Sequence, residues 1–182
     1  TTLFRSIKII VTFFSPSGYE NSKEYKYADS KIYLPLDTSF NAKRFVSAVN
    51  PKIVIFIKND IWSNYIHYLK KNNSLIYSLS SKFNKSQFYF KFYGSWFLKQ
   101  LMKIDFFYVQ DDNSKKILEK NSFENVHISG DSRYTSVINT LNKNKRVTSI
   151  EKFINNKRCF IAGSIWENDI NLFDRVLMSN IK

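Results

Sequence analysis

The sequence predicts an α/β fold built on a doubly wound parallel sheet. Three observations carry that prediction. Short runs rich in β-branched and aromatic residues recur along the chain, typified by Ile53–Ile57 (IVIFI). Each is followed by a stretch with helical spacing of its apolar residues, and the units repeat at a length that suits right-handed strand–helix–strand crossovers. Hydrophobic residues make up 43% of the 182 residues, which is enough to build a core between such layers.

Taken in order, Ile7–Phe14 (IKIIVTFF) reads as a buried strand, broken by the turn chemistry of Ser15–Gly18. Lys31–Leu34 is a short strand ending at Pro35. Asp37 or Thr38 can cap a helix that runs to about Val49 and closes at Asn50-Pro51. Ile53–Ile57 is a second buried strand, and Ile61, Tyr65, Tyr68 and Leu69 recur at helical spacing after it. Leu75–Leu79 is a strand, Asn84–Lys103 a long helix, Phe106–Val109 a strand, Asn113–Lys120 a helix and Val126–Ser129 a strand. Asn139–Asn144 (NTLNKN) reads as a polar linker leading into a short helix at Ser149–Asn155. Arg158–Ala162 then opens a new strand, followed by Gly163-Ser164 and a helix over Glu167–Met178, the start of a second domain.

Thr1–Ser6 (TTLFRS) resembles a translated sequencing adapter and is set aside as a non-native leader, and a fragment of a longer protein is the expected reading. The predicted organisation is a leader over 1–6, a domain over 7–141, a linker over 142–157 and a truncated second domain over 158–182.

Composition excludes several classes. One cysteine, Cys159, leaves no internal disulfide framework and no Cys-based zinc site, and it reads as a small buried hydrophobe. His67 and His127 are far apart in sequence and lack acid-rich partners at ligand spacing, so both read as structural and no metal or other cofactor is expected. Four glycines write no Gly-rich phosphate loop. The formal charge is +13, which favours an anionic partner, although a Lys-, Asn- and Ile-rich composition accounts for part of it.

One stretch concentrates that charge. Lys82–Ile104 holds five lysines and no acid, and eight aromatics fall between Phe83 and Phe97. On a helix, Phe83, Phe90, Phe97, Leu101 and Ile104 would face the sheet. Phe88, Phe92 and Trp96 would lie elsewhere, beside a basic stripe of Lys91, Lys99 and Lys103. Such a face suits an anionic membrane surface or a phosphorylated amphiphile, or it packs against another part of the protein.

Ligands of parallel sheets sit beyond the carboxyl ends of the strands. The segments that follow strands here are Ser15–Glu20, Lys58–Trp62, Ser80–Lys82 and Gly130–Arg133. In the first, Gly18 permits close backbone approach and Ser17 can cap a helix whose start could hold an anion or sugar hydroxyls; a plain strand–helix turn is the alternative. In the second, Asp60 can cap the next helix or support a base, and Trp62 can pack in the core or line a cleft.

An ordered series of motifs is more specific than any of these alone. It runs VTFFSPSGYE (Val11–Glu20), YLPLD (Tyr33–Asp37), Asn50–Lys52, Asp60–Trp62, QFYFKFYG (Gln87–Gly94), VQDD (Val109–Asp112), GDSRY (Gly130–Tyr134) and AGSIWE (Ala162–Glu167). In order and spacing, from about Ile7 to Phe173, the series resembles the amino-terminal part of 3-deoxy-D-manno-octulosonic acid (Kdo) transferases, in a Bacteroidetes-like form. The resemblance implies a GT-B glycosyltransferase with two Rossmann-like domains, an acceptor-binding one at 7–141 and a nucleotide-sugar-binding one starting at 158. It implies inverting, metal-independent transfer of Kdo from CMP-Kdo to a lipid A precursor, at the cytoplasmic face of the bacterial inner membrane, with no nucleic-acid partner.

Residue by residue, Ser17 and Gly18 match the family's turn by the acceptor cleft, with Tyr19 and Trp62 beside them. Asp60 stands where the family usually has Glu, one methylene longer. Lys82 falls at or near a basic position, and Gly163, Ser164 and Glu167 match the start of the donor element. The base, a Glu, would lie before Ile7 on a loop after a missing first strand. The alternatives are another membrane-lipid GT-B enzyme, such as a lipid A disaccharide synthase, and a non-enzymatic basic nucleic-acid-binding module.

Overall fold

A computed structural model describes residues 7–22, 28–141, 147–155, 157–167 and 169–170. The chain divides into two compact units, Thr1–Thr135 and Ser136–Lys182.

The first unit is α/β with parallel sheets. Its elements are β1 (Ile10–Phe13), α1 (Pro16–Asn21), β2 (Ser30–Tyr33), α2 (Ser39–Val49), β3 (Ile53–Ile57), α3 (Ser63–Lys71) and β4 (Leu75–Ser81). They are followed by α4 (Ser95–Leu101), β5 (Phe106–Val109), α5 (Asp112–Lys120) and β6 (Val126–Ile128). Helix α6 (Ser132–Leu141) spans the division between the units, and α7 (Thr148–Ile154) belongs to the second. The helix therefore runs through the Asn139–Leu141 half of the expected polar linker; the rest of it, 142–146, lies outside the described residues.

Strands β3-β4-β5-β6 form one parallel sheet in sequence order, and β1-β2 form a second, also parallel. Right-handed crossovers between strands in sequential order carry α3, α4 and α5 to the same face. That face holds the core: Phe56, Ile76, Phe107, Val109 and Val126 from the strands, with Ile66, Leu69, Leu101, Ile117 and Leu118 from the helices. Phe83 is fully buried among Tyr89, Phe90 and Phe107.

The opposite face is largely uncovered among the described residues. Ile53, Ile55 and Ile57 are each more than half exposed, so β3 is not the buried strand its composition predicts. It is an edge strand: Leu75 donates to Lys52 O and Lys58 N donates to Leu79 O, so the even-numbered residues bond β4. The N–H and C=O groups of Ile53, Ile55 and Ile57 point to the other edge. In β1 the pairing is odd-numbered, through Ile9 and Phe13 to Asp29 and Leu34, which leaves Ile10 and Thr12 directed away from β2.

The long helix expected over Asn84–Lys103 is not formed. Two 3₁₀ turns, Phe88–Phe90 and Phe92–Gly94, precede the short α4. Asn84 N donates to the Gln87 side chain at 2.9 Å and Ser86 N to the Asn84 side chain at 2.8 Å, local bonds that compete with helix formation. Lys91 is extended (φ −95°, ψ 158°) between the turns. The burial pattern read from helical spacing nonetheless holds. Phe83, Leu101 and Ile104 are buried and Phe90 and Phe97 pack on the core, whereas Phe88, Phe92 and Trp96 are exposed.

In the second unit no strand forms over Arg158–Ala162, and Cys159 is exposed rather than buried. Most of the expected Glu167–Met178 helix lies outside the described residues.

Candidate functional site

The carboxyl ends of the parallel strands in the first unit gather the residues that the sequence singles out. After β1, Ser15 caps α1: its Oγ accepts from Gly18 N at 3.1 Å. The cap is thus Ser15, two residues before the Ser17 that the sequence suggested; Ser17 is exposed, its hydroxyl 3.5 Å from that of Ser15. A Cβ on Gly18 would lie 2.9 Å from Ser15 Oγ and 3.1 Å from the Phe13 ring, so the turn packs closely on this residue. Tyr19 stacks on Tyr33 with ring centroids 4.0 Å apart. Lys31 Nζ sits 4.4 Å over the Tyr19 ring and donates to Tyr19 O at 2.8 Å. The Tyr19 ring is therefore held between Tyr33 and the Lys31 ammonium, fixed beside the turn.

After β3, Lys58 adopts the left-handed region at φ 57° and Asp60 is exposed. Trp62 is half-buried, packed on the core, and meets the ring of Phe14 at 4.6 Å. This contact joins the exits of β1 and β3. Asp60 does not cap α3. That carboxylate comes from Asp37, in the loop after β2, whose Oδ1 accepts Tyr65 N at 3.2 Å. Its Oδ2 accepts Asn64 N and Ser63 Oγ, each at 3.3 Å. Trp62 occupies the N-cap position and has no side chain able to do this. Asp37 is in turn released from α2, which Thr38 caps by accepting Asn41 N at 3.2 Å.

Near the end of β4, Ser80 has φ 54° in a register shift between Leu79 and Ser81. Its hydroxyl donates to Gly130 O and accepts from Ser132 N, both at 3.3 Å, tying the β6 exit to β4. Lys82 follows. Asn59 clamps its backbone: the amide donates to Lys82 O at 2.7 Å and accepts from Lys82 N at 3.0 Å. The Asn59 clamp thus ties the Lys82 backbone to the turn that carries Asp60. The Lys82 ammonium lies 3.6 Å from Asp111, the N-cap of α5. Asp111 is held below the usual carboxylate range mainly by the Ser114 backbone N–H and hydroxyl, with the Lys82 charge as a smaller contribution. Beyond β6, Arg133 and its own-loop partner Asp131 pair so closely that the Asp131 carboxyl falls to about 2.

Asn59, Asp111 and Asp37 organise this edge and were not singled out as site residues. An Asn two residues past a strand was the available signal for Asn59; nothing local links Asp37 to a helix that starts 26 residues later.

The predicted donor residues lie in the second unit. Gly163, Ser164 (φ 57°) and Glu167 are all exposed there. Of the predicted basic stripe, Lys91 and Lys99 are exposed. Lys103 is half-buried, donating to Gln100 Oε1 at 2.8 Å with His67 Nδ1 at 3.5 Å, so it turns from the open aromatic face towards α3. Trp96 is 60% and Phe92 92% exposed. Among the described residues no helix is long and apolar enough to cross a membrane, and no His/Cys/Asp/Glu trio is placed to hold a metal.

A family model described as 3-deoxy-D-manno-octulosonic-acid transferase matches residues 2–136. A protein described as 3-deoxy-D-manno-octulosonic acid transferase from Haemophilus influenzae is 39% identical over 69 residues, 37% of this chain and 16% of that protein. One of the same description from Chlamydophila psittaci is 23% identical over 187 aligned positions, 96% of this chain and 42% of that protein. The chain spans less than half the length of these relatives.

Proposed function

The chain belongs to the 3-deoxy-D-manno-octulosonic-acid transferase family, and from that premise we propose that the full protein transfers Kdo from CMP-Kdo to a lipid A precursor. The family match across residues 2–136 carries this reading. The strand-end cluster supports it, because acceptor hydroxyls would meet Ser17, Gly18 and Tyr19 after β1 and Trp62 and Lys82 after β3 and β4, with the Phe14–Trp62 contact joining the two exits. Asp60, exposed next to the Asn59 clamp, supports the reaction from that edge, and the base that takes the acceptor's hydroxyl proton lies outside this chain. The displacement inverts the anomeric centre and uses no metal. Gly163, Ser164 and Glu167 begin the donor-binding element of a carboxy-terminal domain.

The uncovered sheet edges fit the same reading. One further parallel strand, seated between β1 and β3, would pair the free groups of Ile10 and Thr12 on one side and of Ile53, Ile55 and Ile57 on the other. Parallel sheets are normally buried on both faces. Phe92, Trp96, Lys91 and Lys99, with Lys103 behind them, form a face for the cytoplasmic surface of the inner membrane, where the acceptor lipid resides.

The test is transfer of radiolabelled Kdo from CMP-Kdo, formed in situ, to the lipid A precursor by the full-length protein. Kdo-bearing product is expected, with Asp60→Ala slowing turnover. Transfer from a UDP-sugar in its place would favour a lipid A disaccharide synthase, and absence of either product would refute the assignment. The 182-residue chain alone is expected to be inactive.

A further inference from the structure

On the helical side of the first unit, the starts of α2 and α3 and the helix α4 line an open cleft of about 220 Å³, with Ser63 and Asn64 at its α3 end. Ser39, the first residue of α2, and Tyr68 of α3 share a hydrogen bond at 2.6 Å on one wall. Trp96 and Gln100 of α4 form the other wall, and His67 lies between. Lys103 reaches in from beyond α4 to Gln100 and approaches His67 Nδ1. Lys71, one turn along α3 from His67, lies 5.6 Å from the Tyr68 ring. Asp37, which bonds the lining residues Ser63 and Asn64, has both oxygens taken by the start of α3. Burial first, and then the charges of Lys71 and Lys103, hold the His67 imidazole below its ordinary pKa.

The cleft therefore offers hydroxyl, amide and imidazole groups, with the Lys103 ammonium at its edge. Trp96, which lines the cleft, is 60% exposed, and Phe92 and Lys99, near it in sequence, are exposed as well. A polar cationic seat opening onto an aromatic rim is complementary to an anion carrying a hydrocarbon chain. Its volume is below the roughly 300–1,000 Å³ of pockets that engulf a whole small molecule. That suits a headgroup whose chains stay outside.

We propose that this cleft seats the phosphodiester headgroup of an anionic bilayer phospholipid, with Lys103 and His67 as its principal contacts and Trp96 and Phe92 resting among the chains. The proposal rests on the membrane-face reading above and makes one part of that face a specific site.

The test measures binding of the protein to vesicles of phosphatidylcholine alone and of phosphatidylcholine with phosphatidylglycerol. The wild type is expected to prefer the phosphatidylglycerol vesicles at least tenfold. Lys99→Ala removes a delocalised surface charge and should weaken that binding about fivefold. Lys103→Ala removes the same charge and also a charge-assisted hydrogen bond, and should weaken it about thirtyfold. Short-chain phosphatidylglycerol should shift the His67 imidazole signals, while inorganic phosphate at the same concentration should not. Equal losses in Lys99→Ala and Lys103→Ala would overturn the seat, as would an equal response of His67 to inorganic phosphate. If Trp96→Ala with Phe92→Ala abolishes binding while Lys103→Ala leaves it intact, the membrane face stands and the seat falls. Failure to bind either vesicle would remove both.

Discussion

Replacing Asp37 with Ala isolates an interaction between segments far apart in sequence. Among the described residues the carboxylate is the only side chain at the start of α3 that accepts its first-turn amides, and it takes Asn64 N, Tyr65 N and the Ser63 hydroxyl together. Losing a capping oxygen costs about 1 kcal/mol, and losing the negative charge at the positive end of the helix about another 0.5 kcal/mol. Asp37→Ala should therefore cost about 1.5 kcal/mol, or about 3–6 °C in Tm for a chain of this size. Asp37→Asn keeps an acceptor and should lose less than half as much. Urea denaturation of the chain measures both. The same substitution has a second readout. The Tyr65 phenol is pushed up to about 12 by burial and, secondarily, by the Asp37 charge. Asp37→Ala should move that titration down while Asp37→Asn does the same without the full stability loss. A change in stability under 0.3 kcal/mol, or a Tyr65 titration that does not respond, would refute the capping argument.

Other consequences follow from single features. A Cβ on Gly94 would lie 2.0 Å from Phe88 O and 2.7 Å from Tyr89 Cα, so Gly94→Ala forces the two 3₁₀ turns apart. It should cost about 2–3 kcal/mol in the urea midpoint, and a cost within 0.5 kcal/mol would show that the turns yield freely. Tyr65 also sets an alkaline limit. Its folded pKa is raised, so its contribution is complete below pH 10 and is lost as pH rises through about 12, seen as falling stability in that window. Tyr65→Phe should flatten that fall. In hydrogen exchange, the amides of Ile53, Ile55 and Ile57 should exchange far faster in this chain than those of Val54 and Phe56, and become protected in the full-length protein. Equal protection in the two would argue against a strand between β1 and β3.

Periodicity and composition were sufficient for the strands of the first unit and for most of its helices, but not for the strand expected over Arg158–Ala162. β3 and β5 appear with the bounds read from IVIFI and FFYV, and α2, α3 and α5 start and stop within a few residues of their caps. The motif series also identified the family that the comparisons match. Local pattern failed where competition was decided by packing or by side chains near in sequence. The aromatic spacing of Phe83–Phe97 reports which residues are buried, but Gly94's crowding and the Asn84 and Gln87 bonds choose turns over a helix.

What the sequence determined alone is therefore the class of fold, the order of the elements, the family, and the segments placed at strand ends. Each depends on spacing along the chain. The tertiary structure decided the rest. It selected Asp37 over Asp60 as the cap of α3, and it made Asn59 the clamp that holds Lys82. It left Ile53, Ile55 and Ile57 on an open edge and turned Lys103 inward beside His67. Each is a contact or a vacancy between residues brought together by folding, and the free energy of a hydrogen bond or an ion pair depends on that separation in space, which spacing in sequence does not encode.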